Sequence, residues 1–255
     1  MSAGVDSERV RRRRGPVRIV DGIPYSNRDS TLSLLPGAAL GRWIAGHQDL
    51  VRGRLLDSGC GNQPFREWYG PLVDEVVALD AAAIEGISVI GFADELPFAA
   101  ESFDTVLLTE VLEHVGDLEG AVSELHRVLR PGGHALVTIP YLYPTHEAPY
   151  DFRRLTHFGF RAVLERHGLE VLSLDAKGGG LLMMAHLMVL AVVAALDGVS
   201  AKLMLSRSLT DLRALRWLLG APQELVGRRL RISPGVTGSA SRTSLGYMAA
   251  VRRPL

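Results

Sequence analysis

Cysteine is nearly absent: Cys60 stands alone among 255 residues, and one thiol excludes an internal disulfide framework. A reducing setting follows, so a cytoplasmic protein is expected. Net charge is absent as well, because 28 Lys and Arg balance 28 Asp and Glu. No global field draws the chain to nucleic acid or to an acidic membrane, and no nucleic-acid partner is expected. The one basic run, Arg9 to Gly15, reads as a solvated tail, and no apolar segment follows it as a secretory signal requires. The longest apolar run, LLMMAHLMVLAVVAAL at 181–196, has 16 residues, whereas a membrane-spanning helix needs ~20. Its expected fate is a buried helix or a homodimer interface, with peripheral membrane contact as the rival. There is no internal repeat.

What the chain does have is alternation. GRLLDSG (53–59), EVVALD (75–80), ISVIGFA (87–93), FDTVLLT (103–109) and HALVTIP (134–140) are short and apolar on both faces, as strands of a buried parallel sheet are. Helical patterns separate them. LEGAVSELHRVLRPGG is apolar at 118, 122, 125, 128 and 129 and is stopped by Pro131 and Gly132. LTHFGFRAVLERHGLEVLSLDA reads as a helix capped by Thr156, ended at Gly168, then a sixth strand; SLGYMAAVRR (244–253) is the last. The pattern predicts an α/β fold with a doubly wound, Rossmann-like sheet over residues 31–255. Residues 178–243 form a helical insertion before the final strand, including an amphipathic SLTDLRALRWLLG with Trp217 on its apolar side. Residues 1–30 are a tail and candidate lid, with Tyr25 its expected substrate contact.

Ligands of open α/β sheets sit beyond the carboxyl ends of the strands. The first strand ends in LLDSGCGNQPF, where Gly59 and Gly61 let a ligand approach the backbone. Gly-x-Gly alone also fits a plain strand-to-helix turn. A dinucleotide fingerprint fails because Pro64 takes the third glycine position, and Asp57 would face a pyrophosphate with like charge. A ligand with a cationic end and no phosphate suits Asp57 better, and S-adenosylmethionine is one. Asp80 ends the second strand 23 residues later, placed for ribose hydroxyls; Asp94 and the Ala93 amide follow the third, placed for adenine. Thr109, ending the fourth strand, completes the expected cofactor contacts.

LLDSGCG, VVALD, ADELPFAAESFDTVLLTEVLEHV and LHRVLRPGGHALVTIP occur in order across roughly residues 52 to 175. Together they resemble the consecutive motifs of class I S-adenosylmethionine-dependent methyltransferases, in particular the type 11 group and methyltransferases of polysaccharide biosynthesis. The resemblance implies a seven-stranded sheet whose last strand runs antiparallel between the fifth and sixth, and methyl transfer from the sulfonium to a nucleophile. One departure is Gln63, where the family often has a third glycine.

Within LLTEVLEHVGD, Glu110, Glu113 and His114 fall at i, i+3 and i+4, one face if the segment is helical. The plain interpretation is a helix start with the imidazole bonded to backbone. The sharper one is a metal site: Glu-x-x-Glu-His is similar to the metal motif of small-RNA 2′-O-methyltransferases and certain quinone O-methyltransferases. Such a cation, Mg²⁺ or Mn²⁺, would grip two adjacent acceptor hydroxyls. The loop PYLYPTHEAPYDFRRLTHF (140–158) supplies His146 as fourth ligand or general base. Tyr141, Tyr143 and Tyr150 are expected as stacking surfaces, with Glu147, Asp151 and Arg154 as further acceptor contacts. The expected function is O-methylation of a sugar or oligosaccharide diol. A phenolic, quinone or natural-product acceptor is the alternative, and a cofactor-sensing binding module is the non-enzymatic one.

Overall fold

The computed structural model describes residues 18–20, 23–25, 34–83, 86–202 and 243–255. A short ribbon of β1 (Arg18–Val20) and β2 (Ile23–Tyr25) precedes helix α1 (Leu34–Ala45), which β2 contacts. A seven-stranded sheet follows: β3 (Arg54–Ser58), β4 (Glu75–Asp80), β5 (Val89–Ile90), β6 (Phe103–Thr109), β7 (Leu129–Pro140), β8 (Glu170–Ala176) and β9 (Gly246–Arg252). Its order is β5-β4-β3-β6-β7-β9-β8, with β9 antiparallel to both neighbours. The expected architecture is therefore present, including the reversed last strand between the fifth and sixth strands of this sheet.

Apolar residues on both faces explain why the sheet is covered on both sides. Leu56, Val106, Leu108, Val137 and Val251 pack with α3 (Leu118–Val128) and α4 (His157–Arg166) on one face. Leu55, Leu107, Leu136 and Met248 meet Trp43 and Ile44 of α1 and Trp68 and Tyr69 of α2 (Arg66–Tyr69) on the other. Each such side chain contributes about 1.5–3 kcal/mol on full burial. Asp117 caps α3 by accepting from Gly120 N at 2.9 Å, and Thr156 caps α4 from Gly159 N at 3.2 Å, as the sequence predicts for Thr156.

Three expectations need correction. The third strand shrinks from 87–93 to Val89–Ile90. Gly91 N still donates to Asp80 O, but Phe92 then bridges back to Glu95 in a tight turn, and among the described residues β5 is the edge of the sheet. No helix begins at Glu110: the residue takes a positive φ of 55°, its amide bonds across to Thr138, and the chain turns before α3 starts. The expected helix at 118 onward ends at Val128, before Pro131, because Leu129 already pairs with Phe103 in the sheet.

Of the insertion, helix α5 (Gly180–Lys202) is described. Leu182 and His186 are buried, Leu182 against Ala39 and Leu245, while Leu181, Met184 and Met188 are exposed. No helix among the described residues is long and apolar enough to cross a membrane. The helix expected around Trp217 lies outside the described residues.

Candidate active site

The switch point of the sheet lies between β3 and β6, and the loops after these strands form one floor. After β3, the amides of Gly59 and Cys60 both donate to Leu79 O, folding the loop towards β4. Gly59 has φ 70°, and a Cβ there would collide with Val111 from the loop after β6. Gly61 has φ 52° with open space where a Cβ would stand, as a backbone approached by a ligand requires. Gln63 takes φ 51°, the conformation a third glycine would adopt freely, and its side chain donates to Gly86 O.

Asp57 is buried, accepting from the Tyr69 hydroxyl at 2.6 Å. Burial pushes its carboxyl up to about 6; the Tyr69 bond opposes that rise and Asp80 adds to it. Asp80 accepts from Gly61 N at 2.8 Å and Ala82 N at 3.0 Å, so it holds the glycine loop open beside itself. Ala93 and Asp94 lie beyond β5, and Thr109 ends β6 at the switch point. Asp57 and Asp80 thus stand at the carboxyl ends of the neighbouring strands β3 and β4, and Asp94 lies in the turn beyond β5.

The second half of the floor is the turn 110–116, stitched to the loop 141–156. Phe152 N donates to Glu113 O. The Arg153 guanidinium donates to the carbonyls of Leu112, Val115 and Gly116. These bonds bring Glu113, His114 and His146 together, with ligand atoms all within 4.8 Å of one another. Glu113 is fully buried, and neither carboxylate oxygen has a hydrogen-bond partner. His114 Nε2 lies 3.6 Å and His146 Nε2 3.9 Å from its Oε1.

The tautomers follow from the far side of each ring. His114 Nδ1 is 2.7 Å from Tyr150 O, and His146 Nδ1 is 3.2 Å from Pro144 O. A carbonyl only accepts, so each Nδ1 carries a proton, and in the neutral ring each Nε2 then presents a lone pair. Two imidazole lone pairs and an unpartnered carboxylate then converge on one point. With Glu113 ionised, such a set offers three donors to one cation, and imidazoles bonded to backbone carbonyls are the usual support of a divalent cation. Burial, then Glu110, raises the Glu113 carboxyl well above its ordinary value, and burial with His114 lowers His146. The chemistry of the donor set fits a metal.

Glu110, expected as a ligand, stands apart from this set. Its Oε1 accepts from Thr138 Oγ1 at 2.7 Å and meets Lys177 Nζ at 2.6 Å. Lys177, buried just beyond β8, was not anticipated; a lysine directly following a strand of the sheet was the available signal. Tyr69 and Arg153 were missed also, being indistinguishable in sequence from core and surface residues.

Among the acceptor candidates, Asp151 and Arg154 form an ion pair at 2.5 Å that lowers the Asp151 carboxyl to about 2, and His146 N donates to Asp151 Oδ2. They brace the loop, and with Tyr143, Thr145, Phe152 and Arg153 they line a cavity of about 290 Å³. Tyr143 lies edge-on to His146 and stacks on His186 of α5, another residue not anticipated, whose ring burial lowers to about 4. Tyr150 is exposed beside Phe152, and Glu147 is exposed at the loop tip with φ 52°. Tyr141 is half-buried, packing against Tyr247 and the core. Tyr25 ends β2, and its side chain lies outside the described residues.

Residues 56–137 match the family model described as a methyltransferase domain. A ubiquinone biosynthesis O-methyltransferase of Mesorhizobium japonicum is 36% identical over 94 residues, 31% of this chain and 38% of that protein. A Mycolicibacterium smegmatis protein named as a probable S-adenosylmethionine-dependent methyltransferase is 30% identical over 154 residues, 49% of this chain and 60% of its own. The chain therefore spans less than two thirds of these relatives. Among solved structures, the [4+2]-cyclase SpnF superposes with a TM-score of 0.58 at 18% identity, covering 94% of this chain and 89% of that one, a likeness of fold.

Proposed function

We propose that this chain, which carries a class I S-adenosylmethionine-dependent methyltransferase domain of the type 11 group across residues 56–137, is an O-methyltransferase whose acceptor presents two adjacent oxygens to a divalent cation. The observation that carries the cation is the buried Glu113 carboxylate, unpartnered between two imidazole lone pairs.

The cofactor supplies a methyl group already activated by its sulfonium, so the protein's task is alignment. Asp57 would meet the cationic methionine end, Asp80 the ribose hydroxyls, and Asp94 with the Ala93 amide the adenine. Glu113, His114 and His146 would hold the cation, whose charge favours the ionised form of a hydroxyl and fixes its position. The Asp151–Arg154 pair and Arg153 keep these ligands in place. If the cation is absent from the working enzyme, His146 is the group left to take the hydroxyl proton.

A sugar diol is the acceptor favoured by the polar, charged loop around His146. A catechol-like ring is the second reading, favoured by the exposed faces of Tyr150 and Phe152 and by the quinone-pathway names of the relatives. The deciding experiment is an acceptor screen with labelled cofactor, run with and without chelator. Turnover of vicinal diols or catechols that chelation abolishes, with cofactor affinity retained, is the expected result. Full turnover by verified metal-free enzyme would end the cation reading.

A further inference from the structure

Glu110 belongs to the Glu-x-x-Glu-His pattern, yet the fold commits it elsewhere. Its carboxylate meets the Lys177 ammonium at 2.6 Å and the Thr138 hydroxyl at 2.7 Å. Its own amide is fixed to Thr138 O and Oγ1 at 3.2 and 3.1 Å, with φ 55°. Lys177 is 1% exposed, and a buried ammonium demands a carboxylate partner. Each member of the pair therefore locks the other. Lys177 reaches this point because it directly follows β8, and its own amide donates to Gly246 O at 2.8 Å, continuing the pairing with β9 past the strand end.

We infer that Lys177 is a positioning residue that sets which metal the site accepts. This rests on the cation reading above. By withholding Glu110, Lys177 leaves one carboxylate and two imidazoles as the protein ligands. Imidazole suits cobalt, zinc, iron and nickel, whereas magnesium favours shells of carboxylate, carbonyl and water oxygen. The site is therefore built for a transition ion in preference to Mg²⁺. Releasing Glu110 would add a second carboxylate and move the preference towards Mg²⁺.

The test uses the full chain with metals alone as probes: Co²⁺ followed by its visible absorption, Mn²⁺ by electron paramagnetic resonance, and Mg²⁺ by competition against Mn²⁺. Wild type should bind Co²⁺ at least a hundredfold more tightly than Mg²⁺. Lys177→Gln should tighten Mg²⁺ binding at least tenfold and leave Co²⁺ within threefold. Glu110→Gln leaves the Lys177 ammonium buried without its carboxylate, so it is read in the folded fraction, where Co²⁺ should still bind because Glu110 is not a ligand. The double variant Lys177→Gln/Glu110→Gln, which removes both buried charges together, should fold and retain wild-type selectivity even if Lys177→Gln alone unfolds. Wild type binding no Co²⁺ or Mn²⁺ overturns the cation reading and this inference with it. A wild type that binds, with selectivity unmoved in folded Lys177→Gln or with Co²⁺ lost in folded Glu110→Gln, overturns this inference alone.

Discussion

The Tyr69 hydroxyl donates to Asp57 Oδ2 at 2.6 Å, tying the short helix after the glycine loop to the end of β3. Burial, against the pull of that bond, leaves the Asp57 carboxyl at about 6, so its charge is poised near working pH.

Cofactor affinity should therefore depend on pH. A cationic methionine end favours ionised Asp57, so binding below pH 6 must expel a proton, and affinity should fall about tenfold per unit there. Tyr69→Phe removes the contact that lowers this pKa and should move the fall to higher pH; Asp57→Asn should flatten it. Stability of the unliganded protein runs the other way. The folded state holds this proton more tightly than the unfolded chain, whose carboxyl titrates near 3.8. That contribution is complete below 3.8 and is lost as pH rises through about 6. Calorimetry across pH 5 to 8 reads the first effect, and a flat profile in wild type would remove Asp57 from the cofactor site.

Arg153 should matter more than its place in a surface loop suggests. Its guanidinium holds three carbonyls of the turn that carries Glu113 and His114. Arg153→Ala should cost about 1.5–3 kcal/mol of stability, the range for charged hydrogen bonds, and weaken metal binding. Arg153→Lys keeps the charge but not the fork, so it should rescue little. Wild-type stability and metal affinity in Arg153→Ala would show that the turn stands without it.

Why some of this was legible in sequence and some not comes down to the range of the interactions. Strands such as β3 and β7 declare themselves by apolar side chains, a local property, and Asp57 and Asp80 by standing at strand ends. The conformation at Glu110 depends on Thr138, 28 residues away, and the fate of its carboxylate on Lys177, 67 residues away. A spacing of i, i+3, i+4 therefore suggested a helical face where the chain makes a turn. His114 and His146 remained a plausible pair in both geometries, because proximity to Glu113 is all that the cluster needs.

The outer face of α5 leads to a further test. Leu181, Met184 and Met188 are 86%, 60% and 68% exposed, more apolar surface than one helix ordinarily leaves in water. A homodimer through this face would cover it. Light scattering should give a dimer without detergent, and Met184→Glu with Met188→Glu should yield a monomer. A wild-type monomer excludes the dimer, and firm sedimentation with liposomes would assign the face to a membrane surface.

Glu113 should be a residue that function keeps at the expense of stability. Its two oxygens are buried without partners, and each unsatisfied buried polar group typically costs about 1–3 kcal/mol. Glu113→Leu has similar volume and no polar atoms, so the metal-free variant should be as stable as wild type or melt a few degrees higher. Added Mn²⁺ should reverse that order. A ligand that binds only the folded state at a hundred times its Kd stabilises by about 2.7 kcal/mol, and wild type should gain this while the variant gains nothing. The comparison separates a cation ligand from a structural acid, since a carboxylate that organises the turn through its own contacts predicts the opposite sign. Thermal melts of both proteins, with chelator and with Mn²⁺, give four numbers that decide it. If Glu113→Leu melts well below wild type in chelator and Mn²⁺ shifts neither protein, Glu113 holds the turn and no metal is bound.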